Sequence, residues 1–291
     1  MFIIFYNNNG VNSFNGETVK PLLEVRNAWY RYPGGIEALK GADLAVSNGE
    51  VVSIIGPNGC GKTTLLLIAT GLLEPEEGEV FLDGKPLAEQ LPYARKRLGL
   101  VFQEPDDQLF NPTVYDEIAF SLRQLDLSED YVKKRVNEVA KRLNIDHLLD
   151  RAPYRLSIGE KKKVAIASIL VYEPEIILFD EPTANLSIEA INELEQLIKE
   201  LRSKKRAIVV TSHNIEFVAK ISDKVYIMDN GTTINKGDKR DILINEALLS
   251  KVGLEPPFAV KISKRIFGNC ENYPLTIEEL SNLLQNKLKI Y

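Results

Sequence analysis

Val51-Val52-Ser53-Ile54-Ile55 runs into Gly56-Pro57-Asn58-Gly59-Cys60-Gly61-Lys62-Thr63, and Thr64-Leu65-Leu66-Leu67-Ile68-Ala69 follows. An apolar run, a glycine-rich turn ending in Lys-Thr and a helix-compatible run make the strand–loop–helix setting of a Walker A phosphate loop. Glycines let successive backbone N–H groups turn toward one point, and the helix N-terminus adds partial positive charge there. Lys62 is placed to bridge terminal phosphates, and the Thr63 hydroxyl to sit on Mg²⁺. Gly56, Pro57, Asn58, Gly59, Cys60, Gly61, Lys62, Thr63 and Thr64 are therefore the candidate nucleotide-binding stretch, and the expected ligand is a nucleoside triphosphate.

The rest of the composition is compatible with that reading. The chain has 291 residues, enough for one large domain or two small ones with a real core. A net charge of −5 argues against broad nucleic-acid binding, which needs a basic face. Cys60 and Cys270 are far apart and give neither a disulfide framework nor metal-ligand spacing. Cys60 reads as a small residue at a variable loop position. No stretch approaches the ~18 apolar residues of a membrane span. The opening Met1-Phe2-Ile3-Ile4-Phe5 is too short for a signal peptide and lacks its charged start.

Residues 1–21 are expected to form a loose tail, because 7–17 are rich in Asn, Gly and Ser without an apolar period. Strand-like runs follow at 22–26, 49–55, 78–83 and 98–102, with a turn at Asp83-Gly84. Between about 104 and 160 the pattern turns helical. Ser128 is a good N-cap, Glu129 and Asp130 suit a first turn, and Val132, Val136, Val139 and Leu143 recur at helical spacing. Strands return at 175–179 and 207–210, separated by an amphipathic helix bearing Ile188, Ile191, Leu194, Ile198 and Leu201. Near-continuous apolar strands alternating with helices predict a largely parallel sheet covered on both faces. A hairpin turning at Asp229-Asn230-Gly231 comes next. The extension beyond 238 ends in a helix with a capping box, Thr276 with Glu279, and a stripe of Leu280, Leu283, Leu284 and Leu288.

Ile176-Ile177-Leu178-Phe179-Asp180-Glu181 is a core strand ending in two carboxylates, which are costly to bury unless paired or metal-bound. A Mg²⁺ near Thr63 gives them a purpose: Asp180 positions the metal and Glu181 polarises the attacking water.

These residues, taken in order, resemble an ABC-type ATPase. Walker A, a glutamine after a strand, a Leu-Ser-x-Gly stretch, Asp-Glu and a histidine after a strand occur in the family's order between Leu22 and Gly237. Gln103 resembles the Q-loop residue that senses metal and transport partner. Leu156, Ser157, Gly159 and Glu160 resemble the signature motif, which binds the γ-phosphate held by a second subunit. Ala184-Asn185-Leu186-Ser187 occupies the D-loop, His213 resembles the switch histidine, and Tyr32 the aromatic that stacks on adenine. Gln103, His213 or Tyr32 alone would read as ordinary polar or packing residues; order and spacing carry the inference. Lys161-Lys162-Lys163 reads as a solvated helix face rather than an anion site.

The resemblance implies an α/β fold: a P-loop NTPase core of ABC type with a mostly parallel sheet, an antiparallel β subdomain and a helical insertion subdomain over about 104–160. The ATPase domain would span 22–237 and a small C-terminal extension 238–291. It implies ATP and Mg²⁺ as cofactors, Glu181, His213 and Gln103 as catalytic residues, and Thr63, Gln103 and Asp180 around the metal. Residues 102–110 and 113–120, with Gly253-Leu254-Glu255-Pro256-Pro257, further resemble the ATPase of energy-coupling-factor importers, including cobalt and nickel types. That implies a second ATPase subunit, an integral membrane coupling protein contacted near 104–122, and a separate membrane protein that binds a vitamin or metal ion. The chain would sit peripherally on the cytoplasmic face of the membrane, with no nucleic-acid partner.

Two departures bear on the partner's site. Ile158 replaces the second signature glycine and Glu160 the usual glutamine, while Ser187 stands where the family has the D-loop aspartate. A heterodimer with unequal sites fits these changes, and a weakly catalytic regulatory half remains open. A nucleic-acid-associated ABC ATPase is a further alternative. The DNA-repair type splits its motifs with a long coiled coil, whereas only about ninety residues separate Thr63 from Leu156 here.

Overall fold

Side chains of successive strand residues point to opposite faces, so a strand apolar at every position is buried on both sides. Val51–Ile55 (β5), Leu98–Val101 (β8), Ile176–Phe179 (β9) and Ala207–Thr211 (β10) are such strands, buried throughout. The computed structural model describes residues 20–268 and 272–288, together with 13–14 and 17–18. In it these four strands join Lys224–Asp229 (β11) and Thr232–Asp238 (β12) in one sheet of order β12-β11-β5-β10-β9-β8. All neighbours run parallel except the β11–β12 hairpin, which turns at Asn230 and Gly231, both at positive φ.

A second, four-stranded antiparallel sheet has the order β4-β3-β6-β7, built from Leu23–Tyr32 (β3), Ile36–Val46 (β4), Glu77–Leu82 (β6) and Lys85–Pro86 (β7). Asp83 and Gly84, at φ 54° and 74°, make the tight β6–β7 turn. The remaining strands, Ser13–Phe14 (β1) and Glu17–Thr18 (β2), pair with each other. That pairing differs from the expectation of a loose tail; most of 1–21 lies outside the described residues.

The helices, in chain order, are Lys62–Ala69 (α1), Leu87–Gln90 (α2), Val114–Gln124 (α3), Glu129–Arg142 (α4), Ile158–Leu170 (α5), Ile188–Ser203 (α6), Ile215–Ile221 (α7), Lys239–Leu243 (α8), Glu246–Ser250 (α9), Phe258–Phe267 (α10) and Ile277–Leu288 (α11). Side-chain caps from Thr113, Ser128, Ser157 and Ser187 start α3, α4, α5 and α6. One face of the parallel sheet, through Ile177, Phe179, Ile208 and Val210, packs on α3, α4, α5 and α6. The other, through Val52, Ile54, Leu178 and Val209, packs on α1 and the antiparallel sheet. A third apolar cluster, including Ile55, Val225, Ile227, Leu243, Leu249 and Val260, seats the C-terminal helices against β11.

At α11, Glu279 N–H donates to the Thr276 hydroxyl at 3.2 Å, but the Glu279 carboxylate accepts from Leu275 N–H at 3.0 Å rather than from the cap residue itself. Leu280 is buried, Leu283 and Leu284 are half-buried, and the Leu288 side chain and Cys270 lie outside the described residues. Among the described residues no helix is long and apolar enough to cross a membrane.

Candidate functional site

Parallel strands deliver their C-terminal ends to one edge of a sheet, and the loops leaving that edge make the site. Here those loops begin after Ile55, Val101, Phe179 and Thr211. Gly56 must be glycine: a Cβ there would lie 2.2 Å from Met228 O and 2.9 Å from Cys60 Sγ. Gly61, the N-cap of α1 at φ 104°, would meet Ala38 O at 2.6 Å. The β11–β12 turn braces the loop from outside, with Gly231 N–H donating to Cys60 O at 3.0 Å and Lys40 N–H to Gly231 O at 2.8 Å. The first turn of α1 carries no acidic side chain of its own. Burial pushes the Cys60 thiol above its ordinary range, with Lys62 pulling the other way.

Lys62 is buried, and its Nζ donates to Gly56 O at 2.9 Å and Pro57 O at 3.1 Å. It also lies 3.5 Å from Glu181 Oε1. That oxygen is buried and accepts no hydrogen bond among the described residues, so its contact with Lys62 is electrostatic. Glu181 Oε2 accepts from His213 N–H at 3.2 Å and lies 2.9 Å from His213 Nδ1. Thr63 Oγ1 donates to Asp180 Oδ2 at 2.6 Å, and Thr211 Oγ1 donates to Asp180 Oδ1 at 2.6 Å. The same Thr211 oxygen accepts from Glu181 N–H at 2.8 Å. Lys62, Thr63, Asp180, Glu181 and His213 thus form one network. Thr211, unassigned from sequence, is its hub; its only sequence signal is its place at the strand end two residues before His213.

Tyr32 is half-buried, stacks edge-on against Tyr30 at 4.9 Å and lies 3.3 Å from Thr64 Oγ1 through its hydroxyl. The hydroxyl end of an aromatic ring therefore stands beside the start of α1. Gln103 is exposed just past β8 and outside the network. The glutamine that fixes this loop is Gln108, which accepts from Phe102 N–H at 3.2 Å and donates to Ala165 O at 3.5 Å and Ser168 Oγ at 3.4 Å.

The signature residues also stand apart from the network, at the start of α5. Leu156 is buried, and Ser157 caps the helix in a reciprocal box with Glu160, whose carboxylate accepts from Ser157 N–H at 2.8 Å and from its Oγ–H at 2.7 Å. Those bonds hold the Glu160 carboxyl below its ordinary range. A Cβ at Gly159 would meet nothing within 4 Å, so the chain's own packing does not require that glycine. Ser187 caps α6, accepting from Ala190 N–H at 3.3 Å. It keeps the capping role an aspartate would fill and loses the charge.

The expectation of a solvated lysine face over 161–163 is corrected. Lys162 is 5 % exposed and donates to Pro182 O and Ala184 O. Lys161 pairs with Asp106 at 2.7 Å and Lys163 with Glu193 at 2.6 Å. Helix phase turns the middle lysine inward.

A glycine cradle with a buried lysine, followed by a Thr–Asp–Glu–His cluster at the carboxyl edge of a parallel sheet, defines a P-loop nucleotide-binding protein. The ABC transporter family model matches residues 39–184. The energy-coupling factor transporter ATP-binding protein EcfA of Methanocaldococcus jannaschii is 38% identical over 275 residues, 92% of this chain and 98% of that protein. EcfA3 of Clostridium perfringens is 37% identical over 240 residues, 81% of this chain and 84% of that protein. Among solved structures, cbiO1 of Clostridium perfringens, described as part of the ABC transporter complex cbiONQ, superposes with a TM-score of 0.70 at 35% identity, covering 84% of this chain and 99% of that one. A dimeric ATP-binding cassette in a post-hydrolysis state bound to ADP and Pi superposes with a TM-score of 0.69 at 30% identity, covering 75% of this chain and 99% of that one. The chain belongs to the ABC transporter family, with the energy-coupling factor ATP-binding proteins among its relatives, and is an ATPase that binds adenine nucleotide.

Proposed function

We propose that this ATPase of energy-coupling factor type hydrolyses ATP with Glu181 as the base, inside a dimer that drives a membrane importer. The observation that carries this reading is Glu181 itself, buried at the mouth of the phosphate loop with its Oε1 3.5 Å from Lys62 Nζ. That oxygen is ion-paired with Lys62 and engaged by no direct protein hydrogen bond among the described residues, so it is free to accept one from an attacking water. Glu181 Oε1 takes that water's proton while Oε2 stays tied to His213, so the carboxylate cannot swing away. Lys62, already desolvated, holds the terminal phosphates as the loop N–H groups orient them. Tyr32 stacks on the adenine beside Thr64.

Thr63 and Asp180 converge as hard oxygen donors and would hold Mg²⁺, with Gln103 in the loop after β8 as a further candidate ligand; the ion would supply neutralisation of phosphate charge.

Ser157 and Gly159 would face nucleotide held by a second ATPase subunit; the open space around Gly159 supports this. In a heterodimer, Ser187 and the anionic Glu160 would line that second site and could make it unlike the chain's own. The coupling protein would dock near 104–122. Support comes from Phe110, 68 % exposed, which stacks edge-on against Phe120 at 5.1 Å on that surface. A separate membrane protein would bind the cargo, a metal ion or vitamin, and the chain would work from the cytoplasmic face.

The test is phosphate release by the full chain, alone and with co-purifying subunits, against Lys62→Ala, with sizing in ATP. Turnover and ATP-dependent association, both lost in Lys62→Ala, are expected. Turnover that survives Lys62→Ala would overturn the assignment of the loop.

A further inference from the structure

The carbonyl groups of a loop are normally left to water, yet two in the segment after the Asp-Glu pair are engaged by one buried cation. Lys162 Nζ donates to Pro182 O at 3.1 Å and to Ala184 O at 2.6 Å. Burial lowers the Lys162 ammonium from its ordinary range, while Glu104 and Glu181 pull it back up. A cation buried at a desolvation cost that two carboxylates only partly offset is held in place for its contacts.

The segment it grips is strained. Glu181 sits at φ 41°, in the left-handed region that most side chains with a Cβ avoid, and Asn185 sits at φ 60° in the same region, which asparagine tolerates. Such conformations persist only where surrounding bonds over-determine them. From within, Ala184 N–H donates to Glu181 O at 3.1 Å and Leu186 N–H to Thr183 O at 3.3 Å. From β10, Thr211 holds Glu181 N–H. From α5, Lys162 holds the turn between Glu181 and Asn185. Behind it lies a cavity of about 270 Å³, lined in part by Gly159, Lys162, Pro182 and Leu186. The loop therefore has room to move on that side.

We propose that Lys162 is a positioning residue for ATP hydrolysis: a strut between the helix capped by Ser157 and the 181–187 turn, fixing where Glu181 points. The inference rests on Glu181 being the base. It adds a mechanical link, because the helix that begins at Ser157 and Gly159 carries the strut. Movement of α5 when its N-terminus meets a partner's nucleotide would reach this chain's own base through one side chain.

Hydrogen exchange and steady-state turnover of the full chain test it with Lys162→Met, which keeps length and removes the donors, Lys162→Arg, which restores them, and Lys163→Met as a same-helix control. With Lys162→Met, the Ala184 and Leu186 amides should exchange at least 10-fold faster while those of 56–64 are unchanged. The kcat should fall at least 10-fold with KM for ATP within 3-fold, and Lys162→Arg should recover most of both. Lys163→Met should match wild type. Unchanged exchange at 184 and 186, or unchanged kcat with faster exchange, would overturn the proposal. Global exchange across the chain in both Lys162 variants would overturn it as well, assigning the side chain to fold stability. Wild-type protein that binds ATP without turnover in any subunit combination would instead defeat the hydrolysis reading. The exchange data then decide the strut by themselves.

Discussion

Thr211→Val replaces a fully buried hydroxyl with a methyl of the same shape and tests the hub of the site. Thr211 Oγ1 donates to Asp180 Oδ1 at 2.6 Å and accepts from Glu181 N–H at 2.8 Å, at 0 % exposure. A hydrogen bond to a charged acceptor contributes about 1.5–3 kcal/mol, and a buried N–H left unsatisfied costs about 1–3 kcal/mol. Valine returns roughly 1 kcal/mol by adding apolar contact where the hydroxyl was. The net loss is about 1.5–5 kcal/mol, which at this chain's size lowers the melting temperature by roughly 3–8 °C. Thr211→Ser keeps the hydroxyl and removes only a methyl, so it should cost about 1 kcal/mol. Scanning calorimetry on both variants without nucleotide reads the difference directly. The Val variant should also lose roughly 10–100-fold in turnover, since Asp180 loses the bond that orients it. A Val variant melting within 2 °C of wild type, or a Ser variant falling as far as Val, would refute the assignment of Thr211 as hub.

Gly56→Ala and Gly59→Ala should separate sterics from backbone preference. The first drives a Cβ to 2.2 Å from Met228 O and should abolish ATP binding by titration; the second meets nothing within 4 Å and should cost only about 1–2 kcal/mol of left-handed strain in a melting experiment. Because burial raises the Cys60 thiol pKa, folded protein holds less thiolate than an unfolded chain at any given pH, so in a Cys270→Ser background thiol labelling should be slow near pH 8 and rise only at more alkaline pH. Arg240→Ala removes bonds to both Glu279 carboxylate oxygens, at 3.1 and 3.0 Å, on a partly exposed pair; α11 amides should exchange faster, stability should fall by no more than about 1 kcal/mol, and ATP affinity should hold.

How much of this was legible in the sequence depended on whether chemistry or distant pairing set each residue. The β5–loop–α1 unit could be read because phosphate binding allows few residue types at each step, and Asp180-Glu181 because acids ending a core strand need a reason. The long strand Ile36–Val46 was missed: Gly41 and several alanines dilute its period, and pairing with β3 and packing beneath it hold it extended. Nor did the run near 77–82 announce that it belongs to a second sheet, since its partner β3 lies some fifty residues away in the chain. Lys162 was read as solvated because three consecutive lysines look alike. Its place four residues before buried Ile166 was the available signal, and only the fold shows which carbonyls receive it. Ser187 and Glu160 looked like losses in sequence, yet each caps the helix it begins.

The central claim is that Glu181 is the base. Initial rates of phosphate release by Glu181→Gln, measured beside equilibrium ATP binding in the subunit combination that turns over, test it most directly. The account predicts a fall in turnover of roughly 10²–10⁴ with ATP affinity retained. Turnover within a few-fold of wild type would contradict it and move the base elsewhere.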